Sequence, residues 1–450
     1  MNSSSIVTIP RSDHLISRSN LSPNAVRVMY RLHDHGFTTY LVGGCVRDLL
    51  LGREPKDFDI VTNATPGQIK RLFRNCRLVG RRFRLAHLHF QDEMIEVATF
   101  RSMSLGTDAG AEAQENLTSR EEHAPDPRHL KDVEGMILRD NVFGTPEEDA
   151  RRRDFTVNAL FYSIADFSII DHVGGMTDLQ NGILRIIGDP SERFTEDPVR
   201  MLRAVRFSAL LGFTIEPATS QSLLDLSETI TRAAPARLYE EVLKLFLCGE
   251  GSKIWQQLRQ TGLLGALFPH FDRWLQVETQ NFPHTGPADA LSWIDTRIQQ
   301  GESVTPPLLF ALLFRQYIDE KMERHRGNGL PAQQSLDAAV AELMGELAPT
   351  VLMPNRVSVG IRAIFSMQRR FYKIPGRHAE LFTTRHGFQD AMQFLRFTAE
   401  KDNTGSKEYD WWQRLANDLP AAPPEESSME QARPKHRRRR RRRHQTKSDS

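Results

Sequence analysis

Asp57 and Asp59 stand on either side of Phe58, near the end of the run GGCVRDLLLGREPKDFDI that begins at Gly43. In an extended segment residues i and i+2 point to one face, so the two carboxylates project together while Phe58 and Ile60 face the other way. Two hard oxygen donors on one rigid face suit Mg²⁺, which is held by one or two carboxylates together with substrate phosphates. Upstream, Tyr40-Leu41-Val42 reads as the end of a buried strand. Gly43 and Gly44 then permit close backbone approach, and a helix starting near Cys45 aims its first N–H groups at an anion. The run reads as a phosphate cradle followed by a cation site. A tight strand-to-helix turn beside a solvated acidic loop is the alternative that either feature alone leaves open.

More residues with chemical reach follow. Glu96 lies in IEVATFR between apolar Ile95 and Val97, where a carboxylate is costly unless something neutralises it. A cation would do so; an edge strand facing water is the other reading. His87 and His89 read as ordinary sheet residues, with no cysteine or carboxylate pair to complete a metal site. Arg151-Arg152-Arg153-Asp154 is by composition a charged helix end, with Asp154 available as a cap. Glu196 and Asp197 precede a helix opened by Pro198, on which Arg200, Arg203 and Arg206 form a basic stripe; the pattern by itself favours a solvated face. Arg237 and Glu241 in PARLYEEVLK are spaced for an i,i+4 pair of about 0.2–0.5 kcal/mol. The run Gly80 to Arg84, GRRFR, fits a solvated turn or a contact to triphosphate or RNA equally well.

The elements that must position these groups are legible in outline. Ser22 and Pro23 start a helix with Val26, Met29, Tyr30 and Leu32 on its apolar side, and Gly36 ends it. A strand over 37–42, a helix over 46–51, a strand over 58–61 and a helix from Thr65-Pro66 to near Phe73 follow. Alternation over 85–90 and 94–100 predicts a hairpin turning at Gln91-Asp92. Periodicity vanishes from Met103 to about Glu134, predicting a mobile insertion. Thr145-Pro146 opens another helix, with Glu147, Glu148 and Asp149 at its positive end. Beyond 250 the sequence predicts helices over 253–260, 288–299, 306–321, 334–347, 357–371 and 387–400. Phe365, Phe371 and Tyr372, beside Arg369, Arg370 and Arg377, have the composition of a single-stranded RNA contact, although core packing is the commoner use of such aromatics.

Together, the glycine pair and the spaced aspartates resemble the G-[GS]…D-x-D signature of the polymerase-β-like nucleotidyltransferases. GGCVRD…DFDI resembles their class II branch, which holds bacterial poly(A) polymerases and tRNA CCA-adding enzymes. The resemblance spans about residues 7 to 250 and weakens to about 400. It implies an α+β chain: a flexible arm (1–20), a catalytic head with a small mixed β-sheet (21–170), an all-helical neck (171–250), a helical body and leg (251–418) and a disordered basic tail (419–450). It implies template-independent transfer of AMP from ATP to RNA 3′ ends with release of pyrophosphate, Asp57, Asp59 and Glu96 holding two Mg²⁺ ions. By the same resemblance Gly43, Gly44 and Arg47 take the triphosphate. Arg152, Arg153, Asp154 and Asn158 of RRDFTVNA line the nucleotide pocket, Asp197 and Arg200 read the base with Arg203 beside them, and Arg237 and Glu241 buttress the neck helix. Asp171-His172-Val173-Gly174-Gly175, with Asp178 and Arg185, matches a flexible connector of that family; read without the family it is a Gly-Gly turn leading into a short helix. GRRFRLAH, RDNVFGTPEEDARRRDF, PARLYEEVLKLF and the basic tail resemble the poly(A) polymerases more than the CCA-adding enzymes. CCA addition to tRNA is the alternative within the class, and a non-catalytic RNA-binding protein on this scaffold is the alternative outside it. Cys45 replaces a smaller or aliphatic residue of many relatives, which leaves a backbone contact intact.

Composition sets the outer bounds. A chain of 450 residues with 39% hydrophobic content can bury the cores of two or more domains. Cys45, Cys76 and Cys248 are scattered, which argues for a reducing compartment. The first twenty residues contain no apolar core and no later run approaches a membrane span, so the expected location is the cytoplasm. The formal charge of +2 conceals an asymmetry: from Arg433 onward ten Lys/Arg face one acid, a net of +9, which leaves −7 on residues 1–432. Consecutive Arg437, Arg438, Arg439, Arg440, Arg441, Arg442 and Arg443 repel one another and predict a disordered, salt-sensitive tether for RNA, with a solubility tail as the plainer reading. The expected partners are RNA 3′ ends and ATP, around a monomer that RNA-decay proteins would join.

Overall fold

The computed structural model describes residues 6–80, 84–102, 129–131, 137–140, 143–277, 284–374 and 378–418. Arg81 to Phe83, most of the 103–134 segment, Arg377 and the tail with Arg437 to Arg443 therefore lie outside the described residues.

The head is organised by one mixed sheet. Its strands are β1 (Val7–Ile9), β2 (Thr39–Val42), β3 (Asp59–Thr62), β4 (Cys76–Val79), β5 (Leu85–His89), β6 (Met94–Thr99), β9 (Leu160–Ser163) and β10 (Ile169–Asp171), in the order β1-β10-β9-β2-β3-β6-β5-β4. A separate pair, β7 (His129–Lys131) and β8 (Ile137–Asp140), is antiparallel. Within the main sheet β3 and β6 run parallel, with Asp59 opposite Glu96 and Ile60 opposite Val97. The predicted hairpin is β5 and β6, closed with His89 opposite Met94.

Alternation gives the sheet two different faces. Leu41, Ile60, Leu88, Ile95 and Val97 join a large core with helices α1 (Pro23–Asp34), α2 (Gly44–Leu50) and α3 (Pro66–Leu72), which supply Val28, Val46 and Ile69. Val42, Val61, Phe100 and Phe161 on the other face meet Ala150 of α4 (Pro146–Arg152) in a smaller core. The starts read from sequence hold in detail: Ser22 accepts from the Asn24 and Ala25 N–H groups, and Thr65 and Thr145 form capping boxes with Gln68 and Glu148.

Two expectations change. Residues 6–20, expected as a flexible arm, are held: β1 adds to the sheet edge beside β10, Ser17 caps a single 3₁₀ turn, and Ile16 is buried. Three β-branched residues at a sheet edge suffice for this, and so short a strand has no periodicity to read. The DHVGG segment, by resemblance a flexible connector, takes the form its residues alone suggest, a Gly-Gly turn into the short helix Gly175–Asn181, and is clamped: both Asp171 carboxylate oxygens accept backbone N–H bonds, from Val173, Gly174 and Gly175 at one oxygen and Met176 at the other.

The neck follows with α5 (Gly175–Asn181), α6 (Pro190–Glu196), α7 (Val199–Leu211), α8 (Pro217–Leu226) and α9 (Pro235–Phe246). It is not wholly helical, because β11 (Ile183–Leu184) pairs in parallel with β12 (Thr214–Ile215). The body comprises α10 (Gly251–Gln260), α11 (Leu263–Leu267), α12 (Pro269–Leu275), α13 (Gly286–Gln299), α14 (Pro306–Leu313), α15 (Arg315–Gly327), α16 (Ala332–Leu347), α17 (Asn355–Phe371), α18 (Ala379–Thr383), α19 (Phe388–Lys401) and α20 (Ser406–Asp418). The helix predicted over 306–321 breaks at buried Phe314, whose ring packs edge-on to Phe268 and Phe271 and parallel to Phe310. A third core closes the C-terminal end, where Trp412 meets Phe371, Phe382 and Phe388.

Gly175 has no room for a side chain, since an added Cβ would lie 2.2 Å from the Thr156 carbonyl oxygen. Gly175→Ala therefore forces backbone apart where the head meets the neck, and is expected to cost about 1–3 kcal/mol, read as a lowered Tm in a thermal melt.

Candidate active site

The pairing of β3 with β6 puts Asp59 and Glu96 side by side on the face opposite α1 to α3, and Asp57 lies two residues before Asp59 in extended chain. Phe58 and Ile60 pack into the large core, which turns the aspartates outward. Protein crowding around Asp59 pushes its carboxyl up to about 6, with repulsion from Glu96 and Asp57 adding to the rise and Arg153 opposing it. Asp59 nevertheless keeps open access to solvent, so water screens part of this strain. Among the described residues no three acidic, histidine or cysteine side chains close into a ready-made cation cage. The donor set still fits one: three hard carboxylates repel each other on one face, and a divalent cation would relieve that repulsion.

The glycine turn lies against these carboxylates. Gly43 has φ +85° and ψ −142°, a conformation that side chains resist, and a Cβ there would approach Asp59 Oδ2 and Arg153 Nη1 at 3.7 and 3.6 Å. Gly44 begins α2 directly behind it, and Cys45 is buried with its thiol pushed up to about 12, so it acts as a small apolar residue. A cleft of about 490 Å³ runs from Gly44, Asp57 and Asp59 to Arg206 and Lys244 of the neck.

Arg47, Asn158, Asp154 and Arg203 form one chain of contacts. Arg47 donates to Asn158 Oδ1 at 2.6 Å and to Asp48, and Asn158 donates to Asp154 Oδ1 at 3.1 Å. Asp154 also accepts from the Phe155 N–H and, at Oδ2, from Arg203 at 2.7 Å. Burial alone would raise the Asp154 carboxyl, but Arg203 and these hydrogen bonds prevail and hold it down at about 2. Arg153 reaches back to Asp149 at 2.9 Å and lies over Phe161. Arg193 of α6 donates to the carbonyls of Arg152 and Arg153, tying the end of α4 to the neck.

The base-reading residues expected on α7 surround a second cavity of about 280 Å³, lined by Arg153, Asp154, Asp197, Arg200, Arg203 and Arg237 among others. The stripe of arginines is engaged rather than solvated: Arg200 donates to the Arg193 carbonyl and to Glu196, and Arg206 lies over the Phe207 ring. One expected pair does not form. Arg237 makes a two-pronged contact with Asp197, both bonds 2.8 Å, while Glu241 pairs with Lys244. The planar guanidinium fork matches a facing carboxylate better than one a helical turn away.

Comparison with known proteins matches the family profile "Poly A polymerase head domain" to residues 39–185, "Probable RNA and SrmB-binding site of polymerase A" to 212–275 and "Polymerase A arginine-rich C-terminus" to 328–447. The poly(A) polymerase I of Salmonella typhi is 42% identical over 424 residues, covering 94% of this chain and 87% of that protein. The chain belongs to the bacterial poly(A) polymerase I family. It is a nucleotidyltransferase. A CCA-adding enzyme of Lactobacillus johnsonii is 35% identical over 239 residues, covering only 53% of this chain and 54% of that protein. The fold is shared with the Bacillus stearothermophilus CCA-adding enzyme, solved in complex with CTP, at a TM-score of 0.56 and 24% identity over 89% of this chain and 84% of that one.

His87, by pattern an ordinary sheet residue, has its Nε2 3.3 Å from Glu96 Oε2. The signal was available: a hairpin closing His89 against Met94 also places His87 opposite Glu96. Arg206 and Lys244 enter the cleft only because the neck folds back on the head, which no local spacing encodes.

Asp154→Asn leaves Arg203 without its counter-charge and is expected to cost about 1.5–3 kcal/mol near neutral pH. Because the native carboxyl is held near 2, below its ordinary 3.8, its contribution is complete above about pH 4 and disappears as pH falls towards 2. Thermal melts across pH should show the gap between parent and variant closing only at the acid end.

Proposed function

We propose that the chain extends RNA 3′ ends with AMP drawn from ATP, releasing pyrophosphate, and that Asp57, Asp59 and Glu96 are its cation-binding catalytic residues. The carrying observation is the parallel pairing of Asp59 with Glu96 beside the Gly43 turn. When bound, Mg²⁺ supplies charge neutralisation at the reacting phosphate and acidifies the attacking 3′-hydroxyl. The protein's own part is positioning. Gly43 and Gly44 let the triphosphate approach the first turn of α2, with Arg47 behind it. Arg152, Arg153, Asp154 and Asn158 hold the nucleotide, and Arg153, shared between the carboxylates and the second cavity, couples the two.

Asp197, Arg200 and Arg203 face the base in this reading, and Arg237, by holding Asp197 on both oxygens, fixes which acceptors that carboxylate can offer. The arginine run 437–443 tethers RNA without reading its sequence, which suits an enzyme with no fixed primer. Among the described residues no helix is long and apolar enough to cross a membrane, and a cytoplasmic location is proposed with the RNA substrate.

CCA addition is the second reading, favoured by the shared fold. Incubation of the protein with an oligo(A) primer and ATP or CTP separately decides between them: long ATP-dependent tails are expected, and CTP incorporation that stops after a few nucleotides overturns the proposal. Asp57→Ala should lower kcat/KM about 10³-fold, or about 4 kcal/mol, with the fold intact by circular dichroism.

A chain ending at Ala432 should bind long RNA more weakly. Its plot of log affinity against log salt should also be shallower by up to about 5 units, if each tail arginine meets one phosphate of a single strand.

A further inference from the structure

A third cavity, of about 210 Å³, opens among α15, α17 and α19, in the body and apart from the residues assigned above. It is smaller than the ~300–1,000 Å³ of sites for drug-sized ligands, and the size suits a single planar ring system. Aromatic side chains form its walls. Phe365 and Phe394 stand with ring centres 5.2 Å apart, and Tyr372, 48% exposed, lies against Gly405, where an added Cβ would come 3.1 Å from the Tyr372 hydroxyl. Phe371, its neighbour in sequence, is fully buried in the Trp412 core, so of the three aromatics noted in this stretch only Phe365 and Tyr372 face a cavity.

Apart from the Tyr372 hydroxyl and Arg315, whose two terminal nitrogens are turned to Asp402, the polar atoms left in that cavity are acceptors. The Gln368 amide donates to the Ile364 and Ala391 carbonyls, which leaves its oxygen. The Thr398 hydroxyl gives its proton to the Leu395 carbonyl. Asp319, exposed at the rim, receives no hydrogen bond from any described residue; desolvation by its neighbours raises its carboxyl to about 6 against the opposing charge of Arg315, and open water screens part of that rise. A guest with an exocyclic amine satisfies these acceptors; uracil, with one N–H between two carbonyls, satisfies fewer of them. The α17 side of the cavity favours a polyanion, whereas Asp319 and Asp402 lie on the sides formed by α15 and α19. From Ala348 to His378 the sequence has no Asp or Glu but includes Arg356, Arg362, Arg369, Arg370 and Lys373, in a chain whose first 432 residues carry −7. Arg369 and Lys373, both exposed, flank Tyr372.

The helix that carries Phe365 is also tied to the neck. The Leu352 N–H donates to the Pro235 carbonyl, which joins the start of α17 to the start of α9, the helix that carries Arg237. Phe365 lies ten residues along α17, about 15 Å further on.

We propose that this cavity is an upstream subsite that holds one adenine of the RNA strand, set back from the 3′ end by several nucleotides, by ring stacking and acceptance of its amine. The proposal rests on the RNA-extending function argued above. Its test measures binding without ATP. Fifteen-nucleotide oligo(A) and oligo(U) and a four-nucleotide oligo(A), each fluorescently labelled, are titrated with the full chain and its Tyr372→Ala and Asp319→Ala variants. Both variants should weaken binding of the long oligo(A) about tenfold, the scale of one lost base stack, while oligo(U) and the short oligo(A) change less than about twofold. Unchanged binding of the long oligo(A) overturns the proposal, and so does an equal loss for oligo(U), which would mark a phosphate contact. Both variants should extend the short oligo(A) with ATP at the parent rate. If the parent itself extends no primer, the proposed function fails, whereas the binding comparison still judges the subsite.

Discussion

Everything in the head depends on holding like charges together. Side-by-side residues on adjacent strands share a face, so pairing Asp59 with Glu96 commits two carboxylates to one small region, and the extended chain before β3 adds Asp57. Asp59 resists ionisation first because its surroundings desolvate the charge and then because Glu96 and Asp57 repel it. The sheet overrides that repulsion because the opposite side chains of the same strands, Ile60 and Val97, are fixed in the large core; slipping either strand by one residue would expose them. Stability of the apolar face thus maintains strain on the polar one.

A second constraint joins head to neck through arginine. Arg193 fastens to the end of α4, Arg203 to Asp154, and Arg237 to Asp197. Each contact uses a carbonyl or carboxylate whose own position is set elsewhere, so the walls of the second cavity, from the ends of α4 and α6 and from α7 and α9, are bonded to one another. The network is polar and half-buried, a setting in which removing one partner costs more than the pair contributes. The body extends the same order outward, since α17 is tied to α9 at one end and enters the Trp412 core at the other.

Much of this was readable from residue order. The glycine pair, the spaced aspartates, the hairpin over 85–99 and the capped starts at Ser22, Thr65 and Thr145 are local signals, set by backbone freedom, period-two alternation and orphan N–H groups within a few residues of one another. The short edge strand at Val7–Ile9 and the break at Phe314 escaped because their causes lie elsewhere: an open sheet edge at β10 in one case, a cluster of rings from α12 and α14 in the other.

Residue order alone sets the types and the local spacing of the reactive groups, and with them the α+β class and the family, because these rest on patterns a few residues long. Who meets whom is settled in the folded chain. Arg237 and Glu241 had the right spacing to pair, yet Arg237 turned to Asp197 because a facing carboxylate accepts both prongs of the guanidinium. His87 came to rest beside Glu96, and Phe365 and Tyr372 came to line a cavity while Phe371 vanished into the core. Choices among equivalent local partners are settled by distance and desolvation, and those exist only once the chain has folded.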